Sequence, residues 1–340
     1  MKAILLAGGQ GTRLKAVTGD LPKPLVPLLG RPLAEHILRL LKKHGITEVC
    51  AALRYRPEDV MKTLGDGSSL GMRITYRVED RELGTAGAVK NCADFIGDED
   101  VLVISGDAAC DLDLTELIRR HKEKNAAVTL ALHRDASPLR FGLVVTDAEG
   151  AVRAFVEKPG WDRVVTDLVN TGIYILSPEA IAAIPEGQTF DFGKELFPLL
   201  LKKGELLLGV PLDGYWCDVG TPLSYYRCCV DALEGRLHLE AGETFQDEAK
   251  TQVQEAKEPG YVLDFPCRDR AALMGRLSQW MLELPTDYQD GIRLNDPRFA
   301  LHICPEEGSS ALRIAVNAED TEFAKRLAFS ARDLARALEA

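Results

Sequence analysis

The chain has 340 residues, of which 46% are hydrophobic and 27% charged, with a formal net charge of −11. This is the composition of an ordinary globular protein with room for two domains, and its acidity disfavours nucleic acid as a partner. No apolar run approaches the ~18 residues of a membrane span, and Met1-Lys2 leads into a strand without a signal-peptide pattern, so no membrane partner and a cytoplasmic location are expected. The eight cysteines form no C-x-x-C pair and have no histidine at zinc spacing, which predicts reduced core thiols. Cys110 and Cys217, which adjoin candidate acidic ligands, are the two for which a metal or redox role is weighed.

The first element is an apolar strand over 3–7, followed by glycines at 8, 9 and 11, then Thr12, Arg13 and Leu14, and later Pro22-Lys23-Pro24. Glycines let backbone N–H groups close on an anion after a strand. Arg13 adds a fork of donors suited to phosphate oxygens, and Lys23 adds a point charge stiffened by two prolines. Leu6, Ala7, Gly8, Gly9, Gly11, Thr12, Arg13 and Lys23 are therefore candidate contacts of a polyphosphate. A P-loop is excluded because the loop ends Gly11-Thr12-Arg13 rather than Gly-Lys-Ser/Thr, and a dinucleotide fold because Leu14 replaces a third glycine.

An amphipathic helix over 31–44 follows, with Leu33, Ile37, Leu40 and Leu41 on one face, Gly45 as its stop, and His36 and His44 as surface or packing residues. A strand over 49–53, a helix over 58–64 and a strand over 72–78 continue a βαβ alternation, which predicts a mostly parallel sheet with ligands at the strands' carboxyl ends. Gly84 and Thr85 precede a helix over 88–95, with Thr85 as its cap. The buried strand 101–104 runs into Ser105-Gly106-Asp107, and a carboxylate at a strand end suits a hard cation carrying phosphate oxygens; Asp107 is assigned to Mg2+.

Asp111-Leu112-Asp113 competes for that role, since D-x-D marks metal-dependent glycosyltransferases. The blander reading has Asp113 or Thr115 capping a helix over 114–125 and Asp111 merely solvated. Strands over 127–133, 141–145 and 152–156 precede Glu157-Lys158, which spacing alone reads as a surface ion pair. A strand from Asn170, helices over 178–184 and 194–202, a strand over 206–211, the second acid Asp218 and a helix over 222–234 complete this region.

GGQGTRL with LPKPL, then ELGTAGAV, SGDAACDLDL, FVEKP, NTGIYI and GYWCDVGT, resembles in order the motifs of the sugar-1-phosphate nucleotidyltransferases across roughly the first 230 residues. The wording is most similar to the mannose-1-phosphate guanylyltransferase type, particularly the form fused to phosphohexomutase-like sequence. The resemblance implies a Rossmann-like α/β domain that joins a nucleoside triphosphate, here GTP, to a sugar 1-phosphate, giving GDP-mannose and pyrophosphate. It places Gly84 and Thr85 near the nucleobase and Gly142, Glu157, Lys158 and Asn170 on the sugar phosphate. It also pairs Asp218 with Asp107 on one Mg2+, and makes Arg13, Lys23, Asp107 and Asp218 the catalytic set. Uridylyl transfer to glucose 1-phosphate, a glycosyltransferase built on Asp111 and Asp113, and a catalytically weak nucleotide-sugar-binding regulator are the rivals.

The expected division is 1–235 for this domain, 236–258 for a linker with six acids against two lysines over 240–258, and 259–340 for a small α+β domain. The last has strands over 261–265, 298–303 and 312–316 and helices over 270–284 and 321–339. It resembles the C-terminal domain of phosphohexomutases. Its phosphate loop would hold Glu306 and Glu307, and no Ser-His-Asn-Pro type segment occurs, so mutase activity is not expected. An appended module and an acidic linker suit a homo-oligomer.

Overall fold

A computed structural model describes the chain except residues 12, 13, 15–20, 136, 137, 158–164, 241, 243–259, 282–285, 288–290, 306–310 and 340. The described strands are β1 (Lys2–Leu6), β2 (Pro27–Leu28), β3 (Arg31–Pro32), β4 (Glu48–Leu53), β5 (Arg73–Val78), β6 (Val101–Ser105), β7 (Ala108–Cys110), β8 (Val128–Arg134) and β9 (Gly142–Thr146). They continue with β10 (Val152–Glu157), β11 (Leu168–Leu176), β12 (Leu207–Pro211), β13 (Trp216–Asp218), β14 (Gly260–Pro266), β15 (Thr286–Asp287), β16 (Ile292–Asp296), β17 (Phe299–Pro305) and β18 (Ala311–Ala318). The helices are α1 (Leu33–Lys43), α2 (Pro57–Leu64), α3 (Gly84–Lys90), α4 (Ala93–Ile96), α5 (Leu114–Lys124), α6 (Pro178–Ala182), α7 (Phe197–Lys202), α8 (Pro222–Leu233), α9 (Arg270–Trp280) and α10 (Thr321–Glu339). They form two compact units: Met1–Gly9, Ile37–Gly106 and Cys110–Trp216 in the first; Gln10–His36, Asp107–Ala109 and Cys217–Ala340 in the second.

The first unit is an α/β layer structure on a nine-stranded sheet ordered β10-β9-β11-β6-β1-β4-β5, with β8 on β11 and β12 on β8. Its centre is parallel: β1 pairs with β4 and β6, and β4 with β5, with Ile4 opposite Cys50 on one side and Val103 on the other. Ala3, Ile4 and Leu5 of β1 and Val101, Leu102 and Val103 of β6 are fully buried, as expected of strands covered on both faces. Beyond β6 the strand β11 runs antiparallel to β6, β8 and β9. Because β1 and β6 lie side by side, the Gly8 loop and the Ser105-Gly106 turn leave from adjacent carboxyl ends, joined by the Gly106 N–H donating to Leu6 O at 2.8 Å.

Leu33, Ile37, Leu40 and Leu41 of α1 are buried along the stripe that the sequence predicts. The helix expected over 88–95 is instead two: α3 begins at Gly84, and Asn91-Cys92 separate it from α4. The earlier start has a tertiary cause. The N–H groups of Ala86 and Gly87 both donate to Phe190 O at 2.9 Å, so the helix's first donors are satisfied from another segment. Thr85 is therefore inside the first turn rather than its cap.

The second unit contains an antiparallel sheet ordered β14-β18-β17-β16-β15, with Leu263 opposite Ile314 and Leu301 opposite Val316. Tyr261, Leu263 and Phe265 alternate inward, and α10 covers that face with Ala324, Leu327, Ala328, Phe329, Ala335 and Leu338. The β15–β16 hairpin was not legible as an element because β15 has only two residues, although Ile292 and Leu294 alternate with exposed neighbours. Tyr225 of α8 donates its hydroxyl to Pro27 O, and Tyr226 donates to Asp296 Oδ2 at 3.1 Å, tying α8 to β2 and β16. Among the described residues, no helix is long and apolar enough to cross a membrane.

Candidate active site

In the second unit, Lys23 opens a single 3₁₀ turn, Lys23–Leu25, held by the Leu25 N–H on Pro22 O (2.8 Å) and the Val26 N–H on Lys23 O (3.1 Å). Proline at 22 and 24 leaves this backbone few alternatives. The lysine stem is buried, and its ammonium donates to Asp107 Oδ2 at 2.7 Å and to Asp218 Oδ1 at 3.2 Å. The two carboxylates stand 84 and 195 residues from the lysine, yet they meet on one Nζ. Gly11 has φ +59°, and a Cβ there would sit 3.2 Å from the Lys23 Cβ, so a side chain at 11 would press on the stem that aims the ammonium.

Asp107 and Asp218 also share a backbone link, the Val219 N–H donating to Asp107 O at 3.1 Å. The loop after Asp218 is fixed by the start of α8. Thr221 and Ser224 form a reciprocal capping box, and the Ser224 hydroxyl also receives the Gly220 N–H at 3.1 Å. The sequence signal was the T-P-L-S spacing ahead of an apolar run. Cys217 Sγ lies 3.7 Å from Ser224 O, as a thiol donor to that helix. Cys110 is buried, and burial pushes its thiol up to about 12, the behaviour of a core thiol.

Two carboxylates on one cation, 42% and 26% exposed, are a donor set that suits a divalent metal sharing its sphere with phosphate oxygens. No group of three or more His, Cys, Asp or Glu that could hold a metal occurs among the described residues. Arg13, Thr12 and Lys158 lie outside the described residues.

In the first unit, Gly142 of β9 pairs with Glu157 of β10, and Val169, next to Asn170, pairs with Leu143. Gly142, Glu157 and Asn170 are thereby gathered on adjacent strands. A Cβ at 142 would lie 2.9 Å from Glu157 Oε2, so glycine gives this carboxylate its room. Asn170 is anchored by Oδ1, which accepts from Tyr174 Oη at 2.9 Å and from the Gly172 N–H at 3.1 Å, directing its amide N–H2 to other acceptors. Gly84 and Thr85 open α3, where both the N–H and the hydroxyl of Thr85 donate to Asp191 Oδ1 at 3.1 Å, while the hydroxyl accepts from the Phe192 N–H at 3.0 Å. Asp191 was missed in the sequence, since nothing local links it to a residue 106 positions earlier.

Of the competing D-x-D pair, Asp113 caps α5, accepting from the Thr115 N–H at 2.9 Å. Asp111 is not merely solvated: its Oδ1 accepts the Tyr215 N–H at 2.6 Å and holds the loop before β13. Both carboxylates are thus engaged in backbone capping. His36 and His44 pack as read, on Leu28 O (2.7 Å) and Thr115 Oγ1 (2.8 Å).

Residues 2–235 match the nucleotidyl transferase family. The chain belongs to that family. It is 36% identical over 253 residues to a UTP–glucose-1-phosphate uridylyltransferase of Synechocystis sp., covering 71% of this chain and 64% of that one. It is 37% identical over 234 residues to a mannose-1-phosphate guanylyltransferase of Mycobacterium tuberculosis, covering 68% and 65% respectively. The chain therefore spans less than two thirds of the length of these curated relatives. Among solved structures it resembles HddC from Yersinia pseudotuberculosis complexed with GMP-PN, with a TM-score of 0.59 and 29% identity over 67% of this chain and 97% of that one. The matched span of this family member holds both the Lys23 cluster and the Gly142, Glu157 and Asn170 strands.

Proposed function

We propose that the chain transfers a nucleotidyl group from a nucleoside triphosphate to a sugar 1-phosphate, with GTP and mannose 1-phosphate as the preferred pair, releasing pyrophosphate. The observation that carries this reading is the Lys23 ammonium clasped by Asp107 and Asp218, which lie 84 and 195 residues from it in sequence, in a chain of this family. A phosphate oxygen of the sugar 1-phosphate bonds to the α-phosphorus, and the bond from that phosphorus to the pyrophosphate oxygen breaks. The nucleophile is already an anion, so alignment and charge neutralisation replace a general base.

In this reading Arg13 and Lys23 bind the triphosphate, and Lys158 orients the sugar phosphate. Glu157, Gly142 and Asn170 engage the sugar, and Gly84 and Thr85 the nucleobase. Asp107 and Asp218 would hold a divalent cation, Mg2+, which supplies charge neutralisation at phosphate oxygens when bound. Release from Asp107 and Asp218 would let the Lys23 ammonium turn to phosphate. Residues 259–340 act in this proposal as an assembly or regulatory module of the phosphohexomutase C-terminal type, and the protein works in the cytoplasm.

The uridylyltransferase relative favours a second specificity, uridylyl transfer to glucose 1-phosphate. Pyrophosphorolysis tests the reaction class and separates these pairs. Pyrophosphate added with GDP-mannose should yield GTP and mannose 1-phosphate. UTP from UDP-glucose alone would move the specificity to the second pair, and no triphosphate from any nucleotide sugar would reject the class.

A further inference from the structure

The second unit holds a surface cavity of about 290 Å³ lined by Leu25, Pro27, Arg31, Arg332, Asp333 and Arg336, together with Gly30 and Pro32. Its volume is near the lower limit of small-molecule sites, roughly 300–1,000 Å³. Among the described lining residues, three guanidiniums face one carboxylate. The arginines come from two elements far apart in sequence, Arg31 from β3 and Arg332 and Arg336 from α10. Arg332 is buried to 7% exposure, with its guanidinium 4.5 Å over the Phe329 ring.

Asp333 organises the group. Its Oδ1 accepts from Arg332 Nε at 3.1 Å and Nη2 at 2.8 Å, and Arg336 Nη1 lies 3.8 Å away. Arg31 is ion-paired with Glu35 at 2.5 Å and donates to Glu240 O at 3.2 Å, which fixes its fork. Two carboxylates, Asp333 and the Glu35 paired with Arg31, answer the three guanidiniums and leave a net charge of one positive unit, in planar forks that match tetrahedral oxyanions. Leu25, Pro27 and Pro32 offer apolar wall to the remainder of a ligand.

We propose that this cavity is a second anion site, distinct from the Lys23 cluster, that binds a phosphorylated small metabolite through Arg31, Arg332 and Arg336. The positive balance favours a phosphate monoester, and the volume admits a single sugar or comparable ring. Leu25 belongs to the turn that begins with Lys23, so the ligand would rest on the backbone that carries that lysine. Binding at this cavity is measurable without the transfer activity.

The test is calorimetric titration of the full chain with glucose 6-phosphate, which carries no anomeric phosphate, and with glucose as the neutral control. Arg332 is too buried for a clean substitution, so the test uses Arg336→Glu at a half-exposed position and Lys23→Met as the control for the other cluster. Glucose 6-phosphate should bind the wild type and Lys23→Met alike, glucose should not bind, and Arg336→Glu should lose at least about tenfold in affinity, the worth of one charge-assisted bond. Absence of binding to the wild type, equal binding of glucose, loss in Lys23→Met, or retention in Arg336→Glu would each overturn the proposal.

Discussion

Lys23→Met removes one charge and keeps the stem, so its effects separate stability from chemistry. The lysine makes two charge-assisted bonds, at 2.7 and 3.2 Å, each worth about 1.5–3 kcal/mol in mutational terms. Two effects offset that loss. The burial cost of the ammonium disappears, and Asp107 and Asp218, 42% and 26% exposed, can be rehydrated. The net cost should be about 1–2 kcal/mol, a fall in Tm of about 2–6 °C, and the protein should remain folded. Turnover should fall about 10²–10³-fold, as for removal of one preorganised donor to a developing charge.

The same substitution leaves two carboxylates without their internal cation. Mn2+ should therefore bind the nucleotide-free variant at least about tenfold more tightly than the wild type, because no ammonium has to be displaced. Electron paramagnetic resonance of unbound Mn2+ reads this without any turnover. Unchanged turnover together with unchanged Mn2+ affinity would refute the reasoning, whereas a large loss of Tm would show that the lysine is mainly structural.

Asp107→Asn and Asp218→Asn should each abolish pyrophosphate release while keeping the circular-dichroism melt near that of the wild type, and a normal rate in either would remove that residue from the site. Gly142→Ala should raise the KM for sugar 1-phosphate with little change in kcat, because its methyl would displace the Glu157 carboxylate from 2.9 Å away; an unchanged KM would detach Glu157 from the sugar. Thr85→Val deletes the hydroxyl's bonds to Asp191 and the Phe192 N–H and should destabilise by about 1–2 kcal/mol, read as a shifted urea midpoint. Burial holds His44, His121 and His133 below the usual histidine range, so the unfolded chain takes up protons first as the pH drops below about 6.5. Stability is then fully present above that pH and lost below it; Tm should fall between pH 7 and 5.5, less steeply in His121→Gln, and a flat profile would contradict the burial argument.

Much of this fold is readable locally. Strands β1 and β6 are continuous apolar runs, and α1 carries its stripe at helical spacing. What was not readable depends on distant partners. The start of α3 is set by Phe190 O and Asp191, about a hundred residues on, so a local cap at Thr85 was the natural but mistaken expectation. Asp111 looked solvated because its acceptor role is to the Tyr215 N–H, 104 residues away. The site divides in the same way. Glycines and the Pro-Lys-Pro motif suggest an anion loop from chemistry alone, whereas the meeting of Asp107 with Asp218 on Lys23 is a property of tertiary structure that spacing could not supply. The capping box at Thr221 and Ser224 was legible in principle, since both halves lie within one turn.

The most direct measurement is product formation by the purified chain with GTP, mannose 1-phosphate and Mg2+, following pyrophosphate enzymatically and the nucleotide sugar by mass spectrometry in the same sample. The account predicts GDP-mannose and pyrophosphate in equal amounts, dependent on both substrates and absent in Asp218→Asn. Guanosine diphosphate or orthophosphate without pyrophosphate, or no product from any nucleoside triphosphate and sugar 1-phosphate pair, would contradict it.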